Sequence, residues 1–409
     1  MSEPTELHYA VLTCLVAGLV GVIGVLLAAR RLQVGRHDIP YAAIGLGALA
    51  VRWLVAGGLA LLPDESTLRG TDEQSFLILA EPLSDGAPLG DWIEAGRDES
   101  MAVLIALPEL LLGGSPAVLG LRMVTAGLAV VGLLLAVAAV QDLTGPRAAW
   151  VAAAFLIIDP GHVFFSTVLG KEVFLLFAEG VFLFAAVRWW REGSALWIGG
   201  MLGGAAVATI IRPYAGAALL VVAWVIVFHV SFRDRDRHAR RRLVLVILIG
   251  VAGLGLAQAA LPRALARVQQ LQNTQTTDTS NLRLEPVDFS TPGAVAANLP
   301  GRVGDYLLQP YPWQTDNNSQ KAAVIGTILT WAAGLFLVAA IVVRGRGVFA
   351  RAGPLFYVLM VTTLVYALTT GNAGTGFRHR VHLTLVIALL VGVAATTLGR
   401  RRRASLRVA

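Results

Sequence analysis

Two adjacent carboxylates and three short basic clusters carry most of the chemistry this sequence can offer. Asp72 and Glu73 stand in Arg69-Gly-Thr-Asp-Glu-Gln-Ser-Phe-Leu-Ile-Leu-Ala80, directly after a long apolar stretch. Helical phasing of Asp72, Phe76, Ala80 and Leu83 sets the carboxylate at the outer end of an amphipathic helix. There it can act as a general base, or only satisfy the free amides and dipole of a helix start. An Asp-Glu pair also offers oxygen ligands to Mg or Mn, but no third ligand is in view, so no metal site is assigned.

The basic clusters are Lys171-Glu172, Arg212-Pro-Tyr214 and Gly376-Phe-Arg378-His379-Arg380, each at the edge of an apolar run. Arginine presents a planar fork of donors that matches phosphate oxygens, so cations converging there suit a lipid-linked phosphate or pyrophosphate. Taken singly, each is equally explained by snorkelling to anionic headgroups. The glycines of Gly371-Asn-Ala-Gly-Thr-Gly376 allow amides to approach an anion, or simply make a flexible link. Asp305-Tyr-Leu-Leu-Gln-Pro-Tyr-Pro-Trp313 is rich in aromatics that either anchor at a membrane interface or stack on a sugar face.

These residues need a scaffold, and composition says which kind. At 56% hydrophobic and 14% charged over 409 residues, the chain is more apolar than a soluble domain of its length. Apolar runs near 9–29, 40–62, 117–140, 146–162, 168–188, 195–211, 214–231, 243–262, 321–343, 354–370 and 380–398 make about eleven helical spans of one all-α membrane domain, 1–409. The first run follows no basic n-region and no small-residue cleavage site, so it reads as a retained span.

Arginines at 30, 31, 36, 188, 191, 233–242, 344, 346, 351 and 400–403 all fall on one side if the spans alternate. The positive-inside tendency makes that side cytoplasmic, with the N-terminus outside and the C-terminus inside. The opposite face then receives a first external loop, 63–116, and a second, 263–320. Within the first, 101–113 is apolar but too short to span and reads as a re-entrant or interfacial helix. In the second, 270–292 is polar and aperiodic and reads as a flexible loop.

Two charges fall inside spans. Arg52 and Glu179 are expected about 15 Å and about 12 Å deep, and the match suggests an ion pair between the second and fifth spans.

Several classes drop out. The single cysteine, Cys14, allows no intramolecular disulfide or thiolate cluster. The net charge of +7 sits in short clusters beside apolar runs, which argues against nucleic acid and for membrane lipids as partners. No phosphate-binding loop or zinc-binding His-Glu-x-x-His helix is present.

The chain resembles bacterial membrane glycosyltransferases of the GT-C fold, of the protein-mannosyltransferase and aminoarabinose-transferase type. The resemblance rests on Asp72-Glu73 with Phe76, Ala80 and Gly86, Leu121-Arg122-Met-Val-Thr-Ala-Gly and Leu143-Thr-Gly-Pro-Arg-Ala-Ala. It continues in Asp159-Pro160, Lys171-Glu172, Ile211-Arg-Pro-Tyr214, Leu307-Leu-Gln-Pro-Tyr-Pro-Trp313 and Gly376-Phe-Arg-His-Arg380. Thr370 departs from the acidic residue common before the last Gly-Asn of such chains.

The resemblance implies an inverting transfer from a polyprenyl-phosphate-linked sugar to a glycan, lipid or protein acceptor, outside the bacterial cytoplasmic membrane. Asp72, with Glu73 second, would be the base. Arg69, Arg122, Lys171, Glu172, Arg212, Tyr214, Trp313, Arg378, His379 and Arg380 would bind substrate. No cofactor is implied with certainty, though a divalent cation is compatible. A polysaccharide polymerase and a lipid-linked-sugar transporter or flippase are the alternatives, and a non-catalytic assembly partner is a further one.

Overall fold

The computed structural model describes residues 3–62, 71–84, 87–88, 90–92, 101–106, 118–233, 237–277, 284–315 and 318–405, and among them the regular structure is helical, with no strand. Among the described residues seven helices are long and apolar enough to cross a membrane, as the composition requires. They lie in α1 (Glu3–Gln33), α2 (Tyr41–Ala60), α4 (Val118–Thr144), α7 (Lys171–Glu192), α9 (Pro213–Arg233), α12 (Asn318–Ala352) and α14 (Ala373–Ser405). Between α2 and α4 lies α3 (Thr71–Ser84).

Three apolar helices are shorter: α5 (Pro146–Ile158), α8 (Ala195–Ile211) and α13 (Leu355–Thr369). Each stops at a polar residue. Pro160 restricts Asp159 to extended backbone, so α5 ends there and Asp159 caps the next helix, α6 (Pro160–Phe165), accepting from His162 N at 2.6 Å. The expected span 146–162 is therefore two helices. Pro213 ends α8 at Arg212, and α13 ends at Thr370. The short helices thus bring their polar ends inward.

The bundle centres on α4, apolar on all sides and packed against α1, α2, α5 and α7. Its closest approach is to α7, at Gly132 and Gly180. A Cβ on Gly132 would stand 2.5 Å from the Leu176 carbonyl, so only glycine lets these backbones meet. α14 packs against α5 and α12, and α7 also packs on α8. On the outside, large apolar side chains such as Leu15, Leu54, Val251, Leu335 and Val342 face outward, as a lipid-facing surface demands.

The expected amphipathic face of α3 is present: Phe76, Ala80 and Leu83 are buried against Met101, Ala102, Ile105 and Ala106 of the helical stretch 101–106, and against Leu121 and Leu169. Residues 107–117, the rest of the expected re-entrant helix, lie outside the described residues.

The flexible loop expected at 270–292 is corrected in part. The helix α10 (Arg237–Thr277) runs 41 residues through the expected span 243–262 and on into that segment. Its glutamines are spent on a neighbour's backbone: Gln272 Nε2 donates to the Leu368 and Thr370 carbonyls at 2.8 and 2.9 Å, and Gln275 Oε1 accepts from Gly371 N at 2.6 Å. Residues 284–291 are pinned as well, with Phe289 N donating to Gln269 Oε1 and Arg302 Nη2 to the Glu285 carbonyl. The helix α11 (Pro292–Leu308) follows, capped by Thr291.

Candidate functional site

Two of the cations singled out from the sequence meet at one carboxylate. Glu172, in the first turn of α7 and 1% exposed, accepts from Arg212 Nη2 at 2.8 Å and from Arg378 Nε at 2.5 Å. Arg212 sits at the C-terminus of α8, where a cation also meets the negative end of the helix dipole. Burial disfavours the Arg212 charge, but Glu172 beside it outweighs that and raises its proton affinity above the ordinary value. Glu172 thus serves two guanidinium groups at once, and Arg212 Nη1 is buried with no hydrogen-bond partner.

Aromatic and imidazole groups continue from this cluster. The Arg212 guanidinium lies over the Tyr214 ring at 5.7 Å, and Tyr214 Oη is 3.3 Å from His379 Nε2. The rings of His379 and Tyr366 are 5.0 Å apart, and Tyr366 stacks on His382 at 5.4 Å. His382 Nδ1 reaches Glu179 Oε2 at 3.0 Å. Glu172 and Glu179 are two turns apart on one face of α7, while His379 and His382 share a face of α14, so two helices build the row. Lys171 reaches the other way, its Nζ 5.8 Å from the Phe76 ring of α3.

The ion pair expected between Arg52 and Glu179 is not made. Arg52 donates to Ser166 Oγ at 2.7 Å and the Ala48 carbonyl at 3.0 Å, and meets His162 Nδ1 at 2.9 Å. Equal depth does not fix direction: α2 packs on α1, α4, α5 and α6, and Arg52 finds its partners on α6 and the residue that follows it.

Glu73 is buried in a two-pronged pair with Arg122, whose Nη2 lies 2.5 Å from Oε1 and whose Nε lies 3.2 Å from Oε2, and it also accepts from Leu169 N at 3.0 Å. With its oxygens engaged, it ties α3 to α4 and to the turn before α7 rather than standing ready to take a proton. Arg122 is likewise spent on Glu73. The Asp72 side chain and Arg69 lie outside the described residues.

Arg380 turns away from Arg378 and His379. It donates to the Tyr306 carbonyl at 2.9 and 3.1 Å, to Thr327 Oγ1 at 3.0 Å and to the Gln309 carbonyl, joining α11, α12 and α14. Gly371 to Gly376 form no anion cradle among the amides whose bonds are seen: Gly371 N is taken by Gln275, Thr375 N by Asn372 Oδ1 and Gly376 N by the Asn372 carbonyl. Trp313 is 76% exposed and stacks on Tyr311 with centroids 4.9 Å apart, compatible with either an anchor or a sugar platform.

Among the described residues around this layer, Asp159 Oδ2, His162 Nε2, Arg212 Nη1, Tyr366 Oη and His382 Nε2 are buried polar atoms without a hydrogen-bond partner. Buried polar atoms are costly when unpaired, so each calls for a partner such as an ordered water, an ion or a polar ligand. His162 and His382 are not among the residues that the sequence singles out, and Asp159 enters only through the resemblance, although an ionisable residue within or bordering an apolar run is itself a signal. Among the described residues no group of three or more His, Cys, Asp or Glu could hold a metal ion. No protein-family model, no curated protein and no solved structure matches this chain.

Proposed function

We propose that this protein is an inverting GT-C-type glycosyltransferase that moves a sugar from a polyprenyl-phosphate-linked donor to an acceptor hydroxyl, in cell-envelope glycan or glycolipid assembly. The reaction belongs outside the bacterial cytoplasmic membrane, with about eleven spans and the arginine-rich ends inside. The observation that carries the reading is the convergence of Arg212 and Arg378 on Glu172 at the inward-turned helix ends. Guanidinium donors gathered there suit a lipid phosphate.

In this mechanism Asp72 takes the proton from the acceptor hydroxyl as its oxygen bonds to the sugar's anomeric carbon. The bond from that carbon to the phosphate oxygen breaks, and the electron pair leaves with polyprenyl phosphate. Arg212 and Arg378 stabilise the charge that develops on the leaving group. Glu172 holds both guanidinium groups in place.

A lipid-linked-sugar transporter is the second reading, favoured by the number of buried ionisable groups: Arg52, His162, Glu179 and His382 all lie in the interior. The discriminating experiment is transfer of radiolabelled sugar from polyprenyl-phosphate donors by the purified protein in liposomes, comparing wild type with Asp72→Asn and Arg378→Ala. Transfer lost in Asp72→Asn with donor still bound supports the transferase. Unchanged transfer removes Asp72 from the mechanism, and donor movement across the bilayer without transfer turns the reading to a transporter.

A further inference from the structure

The other end of the bundle holds a cavity of about 490 Å³ that the transfer reaction does not use. Glu172 and Arg191 stand near opposite ends of α7, separated by roughly 28 Å of helix. The cavity is lined by Arg36, Asp142, Gly145, Arg191 and Arg351, contributed by the α1–α2 link, the α4–α5 turn and the ends of α7 and α12.

One of its two carboxylates is already paired. Asp142 is gripped from two sides: Arg36 donates to it through Nε and Nη2 at 2.9 and 2.7 Å, and Arg188 Nε lies 2.9 Å away. Glu192 beside it is held by Arg188 and by Trp197 Nε1. Arg191 and Arg351 are then the cations the cavity can offer a ligand, against the exposed carboxylate of Asp38. Arg351 Nη1 has a long contact, 3.4 Å, to Thr397 Oγ1. Topology alone explains arginines at helix ends, but not their arrangement around a cavity with its central carboxylate doubly paired.

We propose that this cavity binds a phosphoryl group carried on a small organic ester, gripped by Arg191 and Arg351. Its volume is in the range of small-molecule sites and exceeds what phosphate alone fills. Guanidinium forks match phosphate oxygens in pairs. The ester comes either from a phospholipid headgroup entering from the leaflet or from a soluble compound.

The test is the unfolding midpoint of the full-length protein in phosphatidylcholine nanodiscs, titrated with phosphatidylglycerol or with glycerol phosphate. Wild type is expected to be stabilised. The half-saturating concentration is expected to rise about tenfold or more in Arg191→Gln/Arg351→Gln, since one charge-assisted contact is worth about that factor. The exposed single variant Arg191→Gln keeps the test open if the double variant does not fold, and should show part of the loss. Arg30→Gln/Arg31→Gln, which removes charges on the same side outside the cavity, should retain the response. Stabilisation by phosphatidylglycerol alone supports the site with a lipid as its source, and stabilisation by glycerol phosphate as well supports it with a soluble ester. No stabilisation of wild type by either compound, or equal stabilisation of wild type and the Arg191 variants, overturns it.

Discussion

Glu172→Gln tests the organisation of the site most directly. The substitution keeps the shape and one carbonyl acceptor but removes the charge that holds two guanidinium groups. Arg212 is 6% exposed, so it cannot recover its hydration by a small movement, whereas the Arg378 side chain at 23% partly can. Breaking a buried ion pair by removing one partner costs about 3 to 5 kcal/mol. The retained oxygen and the partial exposure of Arg378 put this case near the lower end, at about 3 kcal/mol. Specific coupling is isolated by a cycle of Glu172→Gln, Arg212→Gln and the double variant, read as unfolding free energy in nanodiscs. The two substitutions should fail to add by about 1.5 kcal/mol or more, as close buried charge pairs do. Additivity within about 0.5 kcal/mol would mean that the two residues do not share an interaction, and the assembly described above would be refuted.

Removal of a general base costs about a hundredfold to ten-thousandfold in rate, so Asp72→Asn should lose transfer by at least the lower factor in single-turnover measurements with unchanged donor affinity. Glu73→Gln should behave differently: it releases Arg122 and the docking of α3, so the unfolding midpoint should fall together with activity, and normal stability with lost transfer would contradict its positioning role. Gly180→Leu places a side chain against the Gly132 backbone where α4 and α7 cross, so folded protein recovered from membranes should drop sharply in gel filtration, while Gly199→Leu, where a Cβ meets nothing within 4 Å, should leave it unchanged.

The cluster around Glu172 was legible because its residues lie at the edges of apolar runs. Lys171, Glu172, Arg212, Tyr214, Arg378 and His379 all interrupt or abut stretches that must be helical in a bilayer, which confines them to helix ends. The buried face of α3 was legible through its helical period. The glutamines of α10 were not: their polar side chains read as a loop because nothing in the sequence says that the backbone at 368–371 will be there to receive them. His162 and His382 lie within apolar runs, and hydropathy gives the depth of Arg52 and Glu179 but not that these histidines are their partners.

By itself the sequence determined that the chain is an all-helical membrane protein, which residues lie at helix ends, and that cations gather beside apolar runs. Those follow from hydropathy and the backbone's need for internal hydrogen bonds in lipid, both local properties. Tertiary structure alone decided which charges meet. Arg378, His379 and Arg380 are consecutive, yet successive helical residues point about 100° apart, so the first joins Glu172, the second faces Tyr214 and the third locks onto the backbone of α11. A residue's depth in the membrane is read along the chain, but its direction around the helix gains meaning only once neighbouring helices are packed against it.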